Sequence, residues 1–176
     1  PDFGQIEMDP QYINLSAYEI YLPEKRKFFN ETESLFDTPI NVFYSRRIGS
    51  PYNGKESKIN SAIKFVGSND YGFTYGILGA NSVNDIHQNS ILNDINSRDY
   101  YAGRITKDIF YGLSNIGITG TYLREDRKKY SIISFDNVSY LFNNNLIVDY
   151  QIVKSDNDMI AGLGGIMDIS YSSVFP

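Results

Sequence analysis

From Ser57 onward the chain alternates apolar and polar residues one by one, and this period of two limits it to half-buried strands. In "SKINSAIKFV", Ile59, Ile63 and Phe65 fall on one face against Lys58, Asn60, Ala62 and Lys64. After "GSND" the segment "YGFTYGILGA" sets Tyr71, Phe73, Tyr75 and Ile77 against Gly72, Thr74 and Gly76, which makes a hairpin. "YYAGRITKDI" sets Tyr101, Gly103, Ile105 and Ile109 against Ala102, Arg104, Thr106 and Asp108. "IGITGTYL" and "LIVDYQIV" repeat the rhythm, and in the second Leu146, Val148, Tyr150 and Ile152 face away from Asp149 and Gln151. The phase slips between Phe135 and Val138, and a β-bulge near Asp136 or an irregular strand would account for it.

The expectation is an all-β fold of antiparallel strands near residues 40–48, 58–66, 71–80, 99–109, 116–123, 130–141, 146–154 and 159–169, with a further strand near Phe3. The 15 Tyr, 11 Phe and 14 Gly suit strands and turns. Short connections ("GSND", "FYGLSN", "FNNN") alternate with longer or more charged ones ("GSPYNGKES", "NSVNDIHQNSILNDINSR", "REDRKK", "SDND"), an asymmetry of outer-membrane barrels.

The two faces distinguish a membrane barrel from a soluble one. Lys64, Arg104 and Asp149 lie mid-strand on the polar face, as lumen-lining residues would. A Lys or Arg on a lipid face costs roughly 2–4 kcal/mol at mid-bilayer and about 0–1 near the interface. The apolar faces carry little charge; Lys107 is the exception, close to a short turn. Tyr71, Tyr101, Tyr122 and Tyr150 lie toward strand ends, where an aromatic girdle would be. The alternative is a soluble β-barrel that binds a small ligand and turns its apolar face inward; periodicity alone does not separate the two.

Residues 1–39 read differently, as an N-terminal strand followed by a helical or irregular segment packed on or in the barrel of residues 40–176. Ser16 and Glu19 form a capping-box pattern, and Pro23 breaks that helix and starts a turn through Glu24, Lys25 and Arg26. Phe28 and Phe29 would seat this segment, and Arg46 and Arg47 would occupy opposite faces of the strand that follows. Glu7 and Asp9 share a strand face and would make lumen salt bridges with Arg46 or Lys25.

The blocks "PDFGQIEMDP", "NLSAYEIYLPEKRKFFNE" and "LFDTPINVFYSRRIG" resemble the opening of a barrel domain of unknown function from Gram-negative outer membranes. Its signature here covers Pro23, Glu24, Lys25, Arg26, Phe28, Phe29, Arg46, Arg47 and Gly49. Lys27, Asn30 and Thr32 stand where the family has proline, an aliphatic residue and glycine. In that family the domain follows a module similar to family-9 carbohydrate-binding modules. The resemblance implies an outer-membrane location, lipid as a partner, and glycans as partners through that module. It carries no catalytic residues. Starting at Pro1 and ending with strand character at "MDISYSSVFP", the chain reads as a single domain truncated at both ends.

Site chemistry is sparse. No cysteine is present, which excludes disulfides and thiolate metal sites. His87, the only histidine, has no partner for a triad or a zinc site. Asp85, Asn89, Asp94 and Asn96 do not have EF-hand spacing and read as a solvated loop. "GLGG" at 162–165 lacks the strand–turn–helix context of a phosphate loop. A net charge of −5 disfavours nucleic acid as a partner. The expectation is a non-enzymatic outer-membrane barrel without cofactor or metal, a transport conduit or surface anchor tied to glycan handling. An enzyme in the barrel lumen is a third reading.

Overall fold

The computed structural model describes residues 21–51, 57–84 and 97–172. An irregular segment over 21–51 holds α1 (Lys27–Asn30), α2 (Glu33–Phe36) and a 3-10 turn at Ser45–Arg47. Seven strands follow: β1 (Ser57–Ser68), β2 (Phe73–Asn84), β3 (Ser97–Ile109), β4 (Ser114–Glu125), β5 (Lys128–Leu141), β6 (Leu146–Asn157) and β7 (Ala161–Tyr171). They form one antiparallel sheet in chain order, each strand paired with its neighbours in sequence. Among the described residues no helix is long and apolar enough to cross a membrane, a statement that does not bear on strands.

Local chemistry fixes the turns. Asn69 accepts hydrogen bonds from the backbone of Tyr71 and Phe73, and Gly72 closes the β1–β2 turn at φ 76°. The β4–β5 connection is only Asp126 and Arg127, with Asp126 left-handed at φ 53°, and β6–β7 is only 158–160; both are shorter than 69–72, 110–113 and 142–145, so the expected alternation of short and longer connections is not kept here because β4 and β5 extend through most of "REDRKK". Left-handed Phe142, Asn143 and Asn144 make the β5–β6 turn, a conformation that Asn tolerates better than most residues.

Five expectations need correction. The sheet is open: β1 pairs only with β2 and β7 only with β6, so the described residues do not close into a barrel. Seven strands fall short of the eight in the smallest membrane barrels. Residues 40–48 are not a strand. The carbonyls of Ser45 and Ile48, which a ladder would use, accept from the Arg26 guanidinium at 2.8 and 2.7 Å, and Arg46 and Arg47 lie on the 3-10 turn, not on opposite strand faces. The β4–β5 register runs through Asp136 without a shift; the bulge lies instead at Asn60, between Ile59 and Ser61. That extra residue turns Ile59 away from Ile63 and toward the covered face, where it packs against the core. The Ser16–Glu19 capping pattern, the strand near Phe3, and Glu7 and Asp9 lie outside the described residues.

The segment 21–51 covers one face of the sheet. Phe29 and Ile48 are fully buried against Leu78, Ala80 and Tyr100, with Phe28, Phe43, Ile59 and Leu123 around them. Gly76 of β2 is the seat of Leu35: a Cβ there would lie 2.3 Å from the leucine Cδ2. Among the described residues nothing covers the opposite face. Ile63 is 73% exposed and Ile105 45%, while Phe65, Ile77, Ile118, Ile133 and Ile152 are exposed with them.

Candidate functional site: the covered polar face

The most enclosed chemistry lies under the segment 21–51. Arg104 projects from β3 to Asp136 of β5 and makes two short bonds, Nη1–Oδ1 at 2.6 Å and Nη2–Oδ2 at 2.7 Å. Nη1 also donates to Thr119 Oγ1 of the intervening β4 at 2.6 Å. Both charged side chains are almost wholly buried, at 6% and 4% exposure. The pair spans three strands because the residue between them is Gly117, the register partner of Asp136. A Cβ on Gly117 would lie 2.6 Å from Asp136 Oδ2 and 2.7 Å from Arg104 Nη2.

A second clamp ties the covering segment to the sheet. Gln151 of β6 is fully buried; its Oε1 accepts from the Ile40 amide at 2.5 Å and its Nε2 donates to the Ile40 carbonyl at 3.1 Å. The side-chain amide thus serves Ile40 as a neighbouring strand would. Lys64 of β1 donates to the Phe28 carbonyl at 2.7 Å and pairs with Glu31 at 2.5 Å. Tyr100 donates to the Arg47 carbonyl at 3.0 Å, and Arg98 reaches the Ser50 carbonyl.

Within the covering segment, Glu24 and Arg26 form a buried pair at 2.7 Å. Glu24 also accepts from the Ser45 hydroxyl at 2.6 Å and from the Arg26 backbone amide at 2.9 Å. Burial alone would raise the Glu24 carboxyl, but the bonds from Arg26 and Ser45 prevail and hold it below the usual carboxylate range. The Arg26 guanidinium stacks 4.3 Å from the Phe29 ring centroid.

Lys64, Arg104 and Asp149 all lie on this covered face, as alternation predicts. Asp149 joins neither clamp; its register partners are Val138 and Asp168, and one of its oxygens is buried without a partner. Of the signature residues, Glu24, Arg26 and Phe29 are buried, Phe28 and Arg46 half-buried, and Pro23, Lys25 and Arg47 exposed. The Pro23 carbonyl accepts from Arg46 at 2.9 Å. Gly49 has φ 79°, and a Cβ there would press on Ile59 Cγ1 at 2.8 Å. Sequence reading did not identify Asp136, Thr119, Gly117 or Gln151 as parts of a site. Strict alternation from Ile133 and Phe135 puts Ser134 and Asp136 on the polar face, so parity would have found Asp136 had no bulge been inserted there. Among the described residues no group of three or more His, Cys, Asp or Glu is placed to hold a metal ion.

A family described as a domain of unknown function (DUF5916) matches residues 1–71. That span holds the segment over the polar face, the turn with Gly49 and the first strand. No curated protein and no solved structure matches the chain.

Proposed function

We propose that this chain belongs to a non-enzymatic outer-membrane β-barrel of a Gram-negative bacterium, a conduit or surface anchor tied to glycan handling. On this reading its covered polar face lines the lumen, segment 21–51 lies as a plug against the wall, and lipid meets the other face. The observation that carries the reading is the inverted sheet. A charged pair is buried on one face while Ile63, Phe65, Ile77, Ile105, Ile118 and Ile133 stand exposed on the other. A water-soluble sheet of this size would pack those residues inward. For the same reason a soluble small-ligand barrel is disfavoured.

The height of the apolar band supports the reading. On β3 it runs between Asp99 and Lys107, about eight residue steps of about 3.4 Å, or roughly 27 Å along the strand. Tilted by about 40°, that becomes about 20 Å, near the roughly 25 Å of membrane barrels. Polar residues bound the band at one end: Asn81 donates to Asp99 at 2.7 Å, and Arg124 pairs with the same carboxylate at 2.5 Å. Directly below, Tyr101 and Tyr122 sit side by side, 6.2 Å between centroids. Lys107 folds back onto the Tyr71 carbonyl at the opposite end. From β4 to β6 the polar boundary steps from Arg124 to Ser131 to Lys154, about four residues down the register, as tilted strands require. Lys154, which the sequence reading passed over, thus falls at the boundary.

Heat-modifiable mobility of the full-length protein in detergent tests the proposal. The account expects a compact, fast-migrating band that slows on boiling. A protein that stays in the soluble fraction without detergent, and shows no such shift, would overturn it.

A further inference from the structure

On the apolar face the side chains are not evenly distributed. Gly79, Gly103 and Gly120 come from three adjacent strands, and together they leave a shallow groove of about 550 Å³. Phe65, Ile77 and Ile133 wall it. A Cβ at Gly120 would meet nothing closer than a backbone oxygen 4.0 Å away, so the depression there is open. Tyr101 and Tyr122 close the groove toward the β4–β5 hairpin.

That hairpin is the most cationic stretch of the described sheet. Arg124, Arg127, Lys128 and Lys129 stand against Glu125 and Asp126; Arg124 is already paired with Asp99 at 2.5 Å, and the Asp158 carboxylate accepts from the Lys129 backbone amide at 3.1 Å, which leaves the side chains of Arg127, Lys128 and Lys129 for an anion. All four cations are exposed. Lys129 is the register partner of Arg124 and lies on the face that carries Ile133, about four residues or roughly 13 Å above it. The face therefore offers an apolar channel, an aromatic collar, and cations above the collar, in that order along one strand direction.

We infer that this groove is a binding site for an anionic phospholipid, with an acyl chain over Gly79, Gly103 and Gly120 and the phosphate at Arg127 and Lys129. Long basic side chains above a tyrosine collar are placed where a headgroup phosphate lies at a bilayer surface. The inference rests on the membrane reading above and adds a lipid class and a place to it.

Residues 1–176 contain no tryptophan, so once any tryptophans elsewhere in the full-length protein are replaced by phenylalanine, one introduced indole reports on one site. Ile77→Trp places it in the groove wall; Ile169→Trp places it on the same face of β7, away from the groove. The full-length protein carrying each variant is folded into vesicles that mix brominated phosphatidylglycerol or brominated phosphatidylcholine with unlabelled lipid. The expected result is equal quenching by both lipids at Ile169→Trp and about two- to threefold stronger quenching by phosphatidylglycerol at Ile77→Trp. That excess should vanish when Arg127→Glu and Lys129→Glu are added, with free inorganic phosphate unable to compete. Equal quenching by the two lipids at both positions overturns the inference while leaving the membrane reading intact. Absence of quenching at both positions overturns both, and absence at Ile77→Trp alone overturns the inference only.

Discussion

Gly117→Ala removes nothing from the molecule, yet it should be among its most damaging single substitutions. The added methyl would sit 2.6 Å from Asp136 Oδ2 and 2.7 Å from Arg104 Nη2, inside any real contact distance. Gly117 does not use the left-handed region, so the backbone itself accepts alanine without strain. The whole penalty must come from separating the ion pair. Removing one partner of a buried pair outright costs about 3–5 kcal/mol, which is the upper bound here because Gly117→Ala displaces both charges and deletes neither. With side chains 6% and 4% exposed, solvent screening gives little relief. Against this, alanine is favoured over glycine in a strand by about 0.5–1 kcal/mol. The net expectation is a destabilisation of about 1 kcal/mol or more, with roughly 4 kcal/mol as the ceiling set by complete separation of the pair. Urea unfolding of the detergent-folded protein, followed by the fraction in the fast-migrating band, measures it. The control is Arg104→Met with Asp136→Leu, which removes both charges; in that background Gly117→Ala should be neutral or slightly stabilising. If Gly117→Ala costs less than about 0.5 kcal/mol in the native background, or as much in the uncharged background, the reasoning fails.

Gln151→Leu should cost about 1–3 kcal/mol by orphaning the Ile40 amide and carbonyl, and hydrogen exchange at Ile40 should speed up well before exchange in β3 and β4. Acid should loosen the covering segment: the Glu24 carboxyl is held low, so its stabilisation is fully present above its unfolded value and is lost as pH falls through its folded value. Limited proteolysis of residues 21–51 should therefore increase below the ordinary carboxylate range, and Glu24→Gln should be weakened at neutral pH and lose that acid response. If the barrel conducts, Arg104→Glu should shift its ion preference toward cations in planar-bilayer recordings of the full-length protein; channels indifferent to that charge reversal would favour an anchoring role.

The sheet was legible because its alternation is set strand by strand. Ile105 against Arg104 and Val148 against Asp149 need no knowledge of the partner strand, and seven of the eight expected strands follow from such pairs. The segment at 40–48 alternates too, but its fate is decided by Arg26, which takes the carbonyls of Ser45 and Ile48 from 19 and 22 residues earlier in the chain. Nothing local signals that capture. Ile59 was misplaced for a similar reason: one unpaired residue, Asn60, reverses every face before it. The Arg104–Asp136 pair was half legible. Parity finds both residues, but their meeting depends on Gly117, whose role appears only once three strands are aligned.

The account turns on which face of the sheet meets lipid, and a nitroxide scan along β3 tests that most directly. Residues 1–176 hold no cysteine, so with any cysteines elsewhere in the full-length protein replaced by serine, single cysteines at Tyr101, Ala102, Gly103, Ile105 and Thr106 carry one label each. With the full-length protein in vesicles, residues 101, 103 and 105 should show high collision rates with oxygen and low rates with a water-soluble nickel complex. Residues 102 and 106 should show no such oxygen preference, giving a period of two in phase with Ile105. Nickel access at Ile105 equal to that of a label in water, or an oxygen maximum at 102 and 106, would contradict the account.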